Sequence, residues 1–305
     1  MGPMSELPPY VLTTPCRDER AGLPEVLAAM EAQEHRPALW LVVDDGSTDG
    51  SLQWLQEQAE TRDWLEVVRA PEAATEYLGA HVARIKRWGL EQAIQRVMER
   101  GVEPAHAGVI DADIVAPPDH YRRLAEVLES HPLMGVVSSI VVSRAPDGSL
   151  VREKYQREDL PRGGTQFFKV ACLDSIGGLP PFPGFDGAAN VKARLRGWRC
   201  RLVTDLEAVQ MRETATRFGA AAGYARKGRY AWFLGHHPLL IAARTVAYSA
   251  RPPRAAGVHF ARAWLKEALA GTERCPDPEI RNYYGRERLL EYARSALGRG
   301  PRFAD

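Results

Sequence analysis

Two clusters of carboxylates in this sequence stand directly after apolar runs. One is Asp111-Ala112-Asp113, which follows Ala107-Gly108-Val109-Ile110. On a strand, alternate side chains share a face, so Asp111 and Asp113 are expected to approach one ligand together at the strand's exposed end. Hard oxygens paired in this way suit Mg²⁺ or Mn²⁺, which keeps positions open for phosphate oxygens and neutralises a departing nucleotide. The other cluster is Asp44-Asp45-Gly46-Ser47-Thr48-Asp49-Gly50-Ser51, between the apolar run Leu39-Trp40-Leu41-Val42-Val43 and the helical spacing of Leu52, Leu55 and Ala59. Ligands of open α/β sheets bind beyond the carboxyl ends of the strands, where both clusters would lie. A helix cap by Ser47, Thr48 or Asp49 accounts for one of these residues but leaves Asp44 and Asp45 without a role. A lone Asp-X-Asp is common by chance and usually marks a solvated turn, so the weight rests on the two clusters together.

The elements that must position these residues follow from the spacing of apolar side chains. Tyr10 to Pro15 reads as a first strand and Leu23 to Gln33 as a helix entered through Pro24. Leu65 to Val68 reads as a third strand after the one ending at Val43. Val82 to Glu99 reads as a helix with Ile85, Leu90, Ile94 and Val97 on its apolar side. Tyr121 to Glu129 is helical and Gly135 to Val142 strand-like, and Pro146-Asp147-Gly148-Ser149 is a hairpin-type turn into Leu150 to Tyr155. Alternation of strands and helices up to about residue 135 indicates a parallel sheet with crossover helices, becoming mixed beyond it.

The chain of 305 residues carries a net charge of only +1, but the charge is unevenly placed. Residues 1–211 hold 23 Lys/Arg against 31 Asp/Glu, and residues 212–305 hold 17 against 8. We expect a domain over residues 1–211 and a basic, helical extension over 212–305 packed on it. The basic surplus suggests peripheral contact with an anionic membrane or a phosphate-bearing acceptor; a solvated Arg-rich helical surface is the plainer reading. Cys16, Cys172, Cys200 and Cys275 show no zinc or redox spacing, which fits a reduced, cytoplasmic compartment. Met1 to Pro9 lacks the pattern of a signal peptide, and no run is long enough to span a bilayer. No nucleic-acid partner is expected. The stripe Trp232, Phe233, Leu239 and Leu240 suits either a membrane-contacting face or a core helix.

Taken in order, the motifs resemble glycosyltransferase family 2, with its GT-A fold, over roughly residues 8–250. Thr13-Thr14-Pro15-Cys16-Arg17-Asp18-Glu19 stands where the family ends its first strand. Asp44 to Ser51 is similar to its nucleoside-binding turn, and Asp111-Ala112-Asp113 to its metal-binding motif. Gly163-Gly164-Thr165-Gln166-Phe167-Phe168 resembles its sugar-side segment, and Gly184-Phe185-Asp186 with Lys192 to Trp198 the block holding its base. The fold implied is a Rossmann-like, open, mixed but mostly parallel α/β sheet flanked by helices. The activity implied is metal-dependent, inverting transfer of a sugar from a UDP-, GDP- or dTDP-sugar to a hydroxyl acceptor, such as a polysaccharide or lipid-linked glycan.

On that resemblance Asp186 is the candidate base, and Asp113 with Asp111 the candidate ligands of Mn²⁺ or Mg²⁺. Thr14, Pro15, Arg17, Glu19, Asp44, Asp45, Asp111, Gly164, Thr165 and Gln166 are the candidate nucleotide-sugar contacts. Gln210 stands where relatives often place a metal-binding His, and its amide oxygen is a poorer ligand than imidazole. Relatives also carry more acid after the base than Gly187-Ala188-Ala189-Asn190. For Asp186 the competing reading is a helix N-cap. A nucleotidyltransferase is the nearest enzyme alternative, but such enzymes open with a Gly-rich basic loop that is missing after Thr13-Thr14-Pro15. A catalytically weak sugar-nucleotide-binding protein is the alternative of a different class.

Overall fold

The computed structural model describes residues 7–71, 79–145, 147–152, 158, 160–211, 219–250 and 252–291. The chain divides into two compact units, Met1–Arg212 and Glu213–Asp305.

Unit one begins with an apolar strand that has no polar alternation, β1 (Tyr10–Cys16), and the reason is burial on both faces. It is followed by α1 (Leu23–Glu31), β2 (Leu39–Asp44), α2 (Ser51–Ala59), β3 (Leu65–Arg69), α3 (Ala80–Glu99), β4 (His106–Val109), β5 (Ile114–Val115) and α4 (His120–Glu129). Then come β6 (Met134–Arg144), β7 (Leu150–Arg152), β8 (Phe167–Lys169), α5 (Val170–Ser175), α6 (Phe185–Leu195) and β9 (Arg199–Gln210). Among the described residues these strands form one sheet in the order β3-β2-β1-β4-β8-β6-β9-β5, with β7 hairpinned onto β6. The β3-β2-β1-β4 half is parallel. β8 runs antiparallel to both β4 and β6, and β9 is parallel to β6, so the sheet becomes mixed where the sequence pattern does.

The period of two in strand side chains divides the core in half. Leu12, Trp40 and Val42 face α1, α2 and α4, packing with Leu23, Val26, Met30, Leu55, Tyr121 and Leu124. Val11, Leu39, Leu41 and Val43 face α3 on the other side, with Ile85, Leu90, Ala93 and Val97. Gly89 sets how closely α3 lies on the sheet, since a Cβ there would fall 2.2 Å from Thr13 Oγ1 and 2.8 Å from Val43 Cγ2. That close approach fixes the residues on the same face of α3 one turn earlier, among them Lys86.

Unit two contains α7 (Gly219–Phe233), α8 (Pro238–Ser249), α9 (Ala256–Ala270), α10 (Pro278–Asn282) and a π-helical turn, Tyr283–Glu287. Ala231, Ile241 and Phe260 form its core with Tyr224, Tyr248 and Trp264 packed against them. Trp232, Phe233 and Leu240 are buried, so three members of the stripe read from the sequence are core and only Leu239 faces outward. No described helix is long and apolar enough to cross a membrane.

His120 at the start of α4 is wholly buried, and neither ring nitrogen has a hydrogen-bond partner. Burial, reinforced by the charge of Arg123, pushes its pKa from 6.5 down to about 3. Between those values the unfolded chain binds a proton that the folded chain refuses, so stability rises with pH across the window and is lost as pH falls through it. Urea midpoints measured along a pH series should therefore drop below about pH 6.5, and His120→Leu should flatten part of that drop. An unchanged slope in the variant would show that His120 contributes nothing to acid sensitivity.

Candidate active site

The parallel register of β1 and β2 places Cys16 opposite Asp44, so the loops after the two strands leave the sheet side by side. They are laced together. The Asp18 amide donates to Ser47 Oγ at 3.1 Å, the Glu19 amide to Ser51 Oγ at 3.0 Å and the Arg20 amide to Asp49 Oδ2 at 2.9 Å. The Thr48 amide donates to Asp18 Oδ1 at 2.7 Å, and Asp18 holds a left-handed φ of 53°. Ser47, Thr48 and Asp49 thus tie one loop to the other; α2 has Gly50 as its N-cap with no side-chain cap bond, but Asp49 Oδ1 also accepts from the Ser51 amide at 2.9 Å, satisfying the first amide of the helix. Burial and then the carboxylates of Asp44, Glu19, Asp49 and Asp18 push the Cys16 thiol up to about 12.

The two leading acids of the turn behave differently. Asp44 is 2% exposed, and its carboxylate accepts from the amides of Gly46 at 3.2 Å and Ser47 at 3.3 Å, so it shapes the turn from inside. Asp45 is more open than Asp44 but still mostly covered, its side chain 12% exposed, with Arg17 Nη1 at 3.9 Å and His81 Nε2 at 2.7 Å. His81, from the first turn of α3, is buried and holds Asp45 in place.

The second cluster corrects the strand picture. β4 ends at Val109, and Asp111 and Asp113 lie on a turn closed by the Ile114 amide donating to the Asp111 carbonyl at 3.1 Å. The backbone turns here because β5 must pair antiparallel with β9, which sets Ile114 opposite Gln210. Gln210 Nε2 consequently donates to Asp113 Oδ2 at 3.0 Å. Asp111 is met by a residue the sequence reading passed over: Lys86 of α3, whose ammonium lies 2.5 Å from Asp111 Oδ1 and 3.0 Å from the Gly163 carbonyl. Lys86 is 2% exposed and sits 4.9 Å from the centre of the Phe185 ring. The signal was present, because Lys86 shares the apolar face of α3 with Leu90, Ala93 and Val97, and a lysine is almost never fully buried unless paired.

Gly163 and Gly164 join the two ends of the site. A Cβ on Gly164 would lie 3.3 Å from Asp111 Oδ2, and one on Gly163 would lie 2.9 Å from Asp186 Cβ. Asp186 is half-buried in the first turn of α6, and the N-cap is Gly184 at φ 78° with no side-chain cap bond, so the capping role does not apply to it. Gln166 Nε2 donates to the Asp186 carbonyl at 3.2 Å and to Asn190 Oδ1 at 3.1 Å, anchoring the start of α6 to the chain entering β8.

Three of the residues expected to contact ligand belong to this framework. Thr14 is fully buried and accepts from the Trp40 indole at 2.8 Å. The Thr165 hydroxyl is engaged by Ser139 at 3.1 Å, and Gln166 is fully buried with the partners just given. Pro15 is half-buried at the end of β1, Arg17 is exposed, and Glu19 is half-buried with its amide bonded to Ser51. Arg17, Asp45, Asp111, Asp113, Gly164, Asp186 and Gln210 all keep some solvent exposure, and Lys86 and His81 hold two of the acids from beneath.

A divalent cation fits this donor set in one way. Among the described residues there is no group of three or more His, Cys, Asp or Glu able to hold a metal. Asp111 and Asp113 alone would supply two carboxylates to a Mg²⁺-like ion that takes its remaining ligands from substrate phosphates, and as they stand Lys86 engages the first and the Gln210 amide nitrogen the second.

A family model described as glycosyl transferase family 2 matches residues 12–177, a stretch that contains Asp45, Lys86, Asp111, Asp113 and Gly164. No curated protein matches the sequence. Among solved structures, the chain is similar to the mannosyltransferase PcManGT from Pyrobaculum calidifontis, in complex with GDP-Man and Mn²⁺. The two are 20% identical with a TM-score of 0.53, over 96% of this chain and 81% of that one. It is also similar to S. aureus TarS 1-349 in complex with UDP-GlcNAc, at 14% identity and a TM-score of 0.53, over 72% of this chain and 64% of that one. These likenesses show that the fold is shared.

Proposed function

The chain belongs to glycosyltransferase family 2, and from that premise we propose that it transfers a sugar from a nucleotide-diphospho-sugar to a hydroxyl acceptor with inversion at the anomeric carbon. The observation that carries this reading is the Gly163-Gly164 dipeptide, which has Asp186 against Gly163 and the Asp111 carboxylate against Gly164. On this reading leaving-group and acceptor chemistry lie a dipeptide apart.

Asp45, held by His81, meets the nucleoside, and Arg17 at the rim adds a cation toward the nucleotide. Asp186 removes the proton from the acceptor hydroxyl as its oxygen forms the new bond to the anomeric carbon. The bond from that carbon to the diphosphate oxygen breaks on the opposite face, and its electron pair stays with the nucleoside diphosphate. Lys86 is a fixed ammonium beside the leaving side, placed to stabilise charge as it develops there. Mn²⁺ or Mg²⁺ held by Asp113 and Asp111, with Gln210 as a weak third ligand, would supply further neutralisation of the diphosphate. The close approach at Gly163 and Gly164 keeps side chains out of the space between acids and sugar.

Mannosyltransferase PcManGT and TarS were solved with GDP-Man and UDP-GlcNAc respectively, so the donors to try first here are GDP- and UDP-sugars, followed by dTDP-sugars. The acceptor is a glycan or lipid-linked hydroxyl met in the cytoplasm. Incubation with each donor and Mn²⁺, measuring release of nucleoside diphosphate, tests the reading. Turnover of one donor that Asp45→Ala weakens through KM is the expected result. Release of inorganic diphosphate from a nucleoside triphosphate plus a sugar phosphate, with no donor turned over, would replace it with nucleotidyl transfer.

A further inference from the structure

Helix α8 presents to solvent a face with no polar residue. Pro238, Leu239, Ala242, Ala243, Val246, Ala247 and Ala250 are its exposed positions, at i, i+3, i+4 spacing over three turns. Leu239 is 61% exposed and Val246 69%. A helix that borders water normally turns its charged stripe outward, so an all-apolar outer face needs an occupant. The neighbouring α9 meets α8 tightly where Gly257 approaches Thr245 and Ser249. It exposes Val258, Leu265 and Leu269, the last at 81%, and interleaves them with exposed Arg262 and Lys266.

Charge identifies the occupant. From Thr214 to Lys266 the chain carries nine Lys/Arg and no Asp or Glu, so no carboxylate in that stretch neutralises these cations. Arg226, Lys227, Arg229, Arg254, Arg262 and Lys266 are all exposed. A second copy of the same surface would bring like charges together, whereas an anionic bilayer offers phosphates to the cations and acyl chains to Leu239 and Val246. α8 is 12 residues long, about 18 Å, too short to cross a hydrocarbon core of about 30 Å, so it lies in the interface.

We propose that the exposed faces of α8 and α9 form a docking surface for an anionic lipid bilayer, with Leu239 and Val246 inserted and Arg262 and Lys266 on the headgroups. The inference stands on unit two alone and survives whatever donor the transferase uses.

Co-sedimentation with vesicles of phosphatidylcholine mixed with phosphatidylglycerol, against phosphatidylcholine alone, tests it on the full chain. Wild type should pellet with the mixed vesicles, less so at high salt. Val246→Asp should weaken that partition by at least about tenfold, the loss expected for withdrawing one large apolar side chain. Arg262→Gln with Lys266→Gln should weaken it several-fold, by about the contribution of two cations near a charged surface. A far-ultraviolet circular dichroism spectrum and a melting temperature like those of wild type show that both variants fold. Equal pelleting with both vesicle types, none with either, or a Val246→Asp variant that pellets like wild type overturns the proposal. A wild-type dimer in sedimentation velocity that Val246→Asp converts to monomer without altering vesicle binding also overturns it, and assigns the face to self-association.

Discussion

Asp186→Asn should lower turnover about 10²–10⁴-fold while leaving donor affinity intact, the loss typical when a general base is removed. Affinity should survive because Asp186 sits beyond Gly163, on the α6 side, whereas Asp45, Asp111 and Asp113 occupy the strand-end loops. Asn keeps the shape of Asp, and no cap bond depends on the carboxylate, so folding should not change. The comparison is a single-turnover rate with a true acceptor beside calorimetric donor affinity. Wild-type transfer rates in the variant would mean that another group takes the proton. Asp205 would be a poor replacement because Arg123 already holds it on the surface, so Asp174 would be examined first.

Removing Asp113 should act on the other half of the reaction. Asp113→Ala is expected to abolish the increase in donor affinity that Mn²⁺ produces, at least about 10–100-fold, an amount seen when even an outer partner of a metal ligand is lost. Affinity measured with a chelator should not change. Asp111→Ala should do something further, because it strips the buried Lys86 ammonium of its carboxylate. Breaking a buried pair costs about 3–5 kcal/mol, and here somewhat less, since Asp111 is 36% exposed and the Gly163 carbonyl remains. A lowered melting temperature in Asp111→Ala but not in Asp113→Ala would separate the two acids. Equal donor affinity with and without Mn²⁺, in wild type and Asp113→Ala alike, would remove the cation from the reading altogether.

The sequence by itself determined the leading strands and helices of unit one and the order in which they carry acids. β1 and β2 are continuous buried runs and α3 repeats its apolar residues near every 3.6, and both patterns are local properties, so these elements were legible from their apolar residues alone. The acidic turn after β2 and the Asp111-Ala112-Asp113 triplet were equally local. Which carboxylate is left partly open was not, because that depends on partners far along the chain. Asp44 turns inward to its own turn while Asp45 is held by His81, 36 residues away. Lys86 reaches Asp111 across 25 residues because Gly89 lets α3 lie close on β1, and Gln210 reaches Asp113 across 97 because β5 pairs with β9. The same pairing moved the acid triplet from a strand onto a turn. In unit two the apolar residues were visible in the sequence, but which of them stay dry was set by packing: Trp232 and Leu240 went into the core and Leu239 and Val246 were left outside. Side-chain periodicity fixes what a segment can become, and non-local register and helix contact decide which of its groups remain free to meet a ligand.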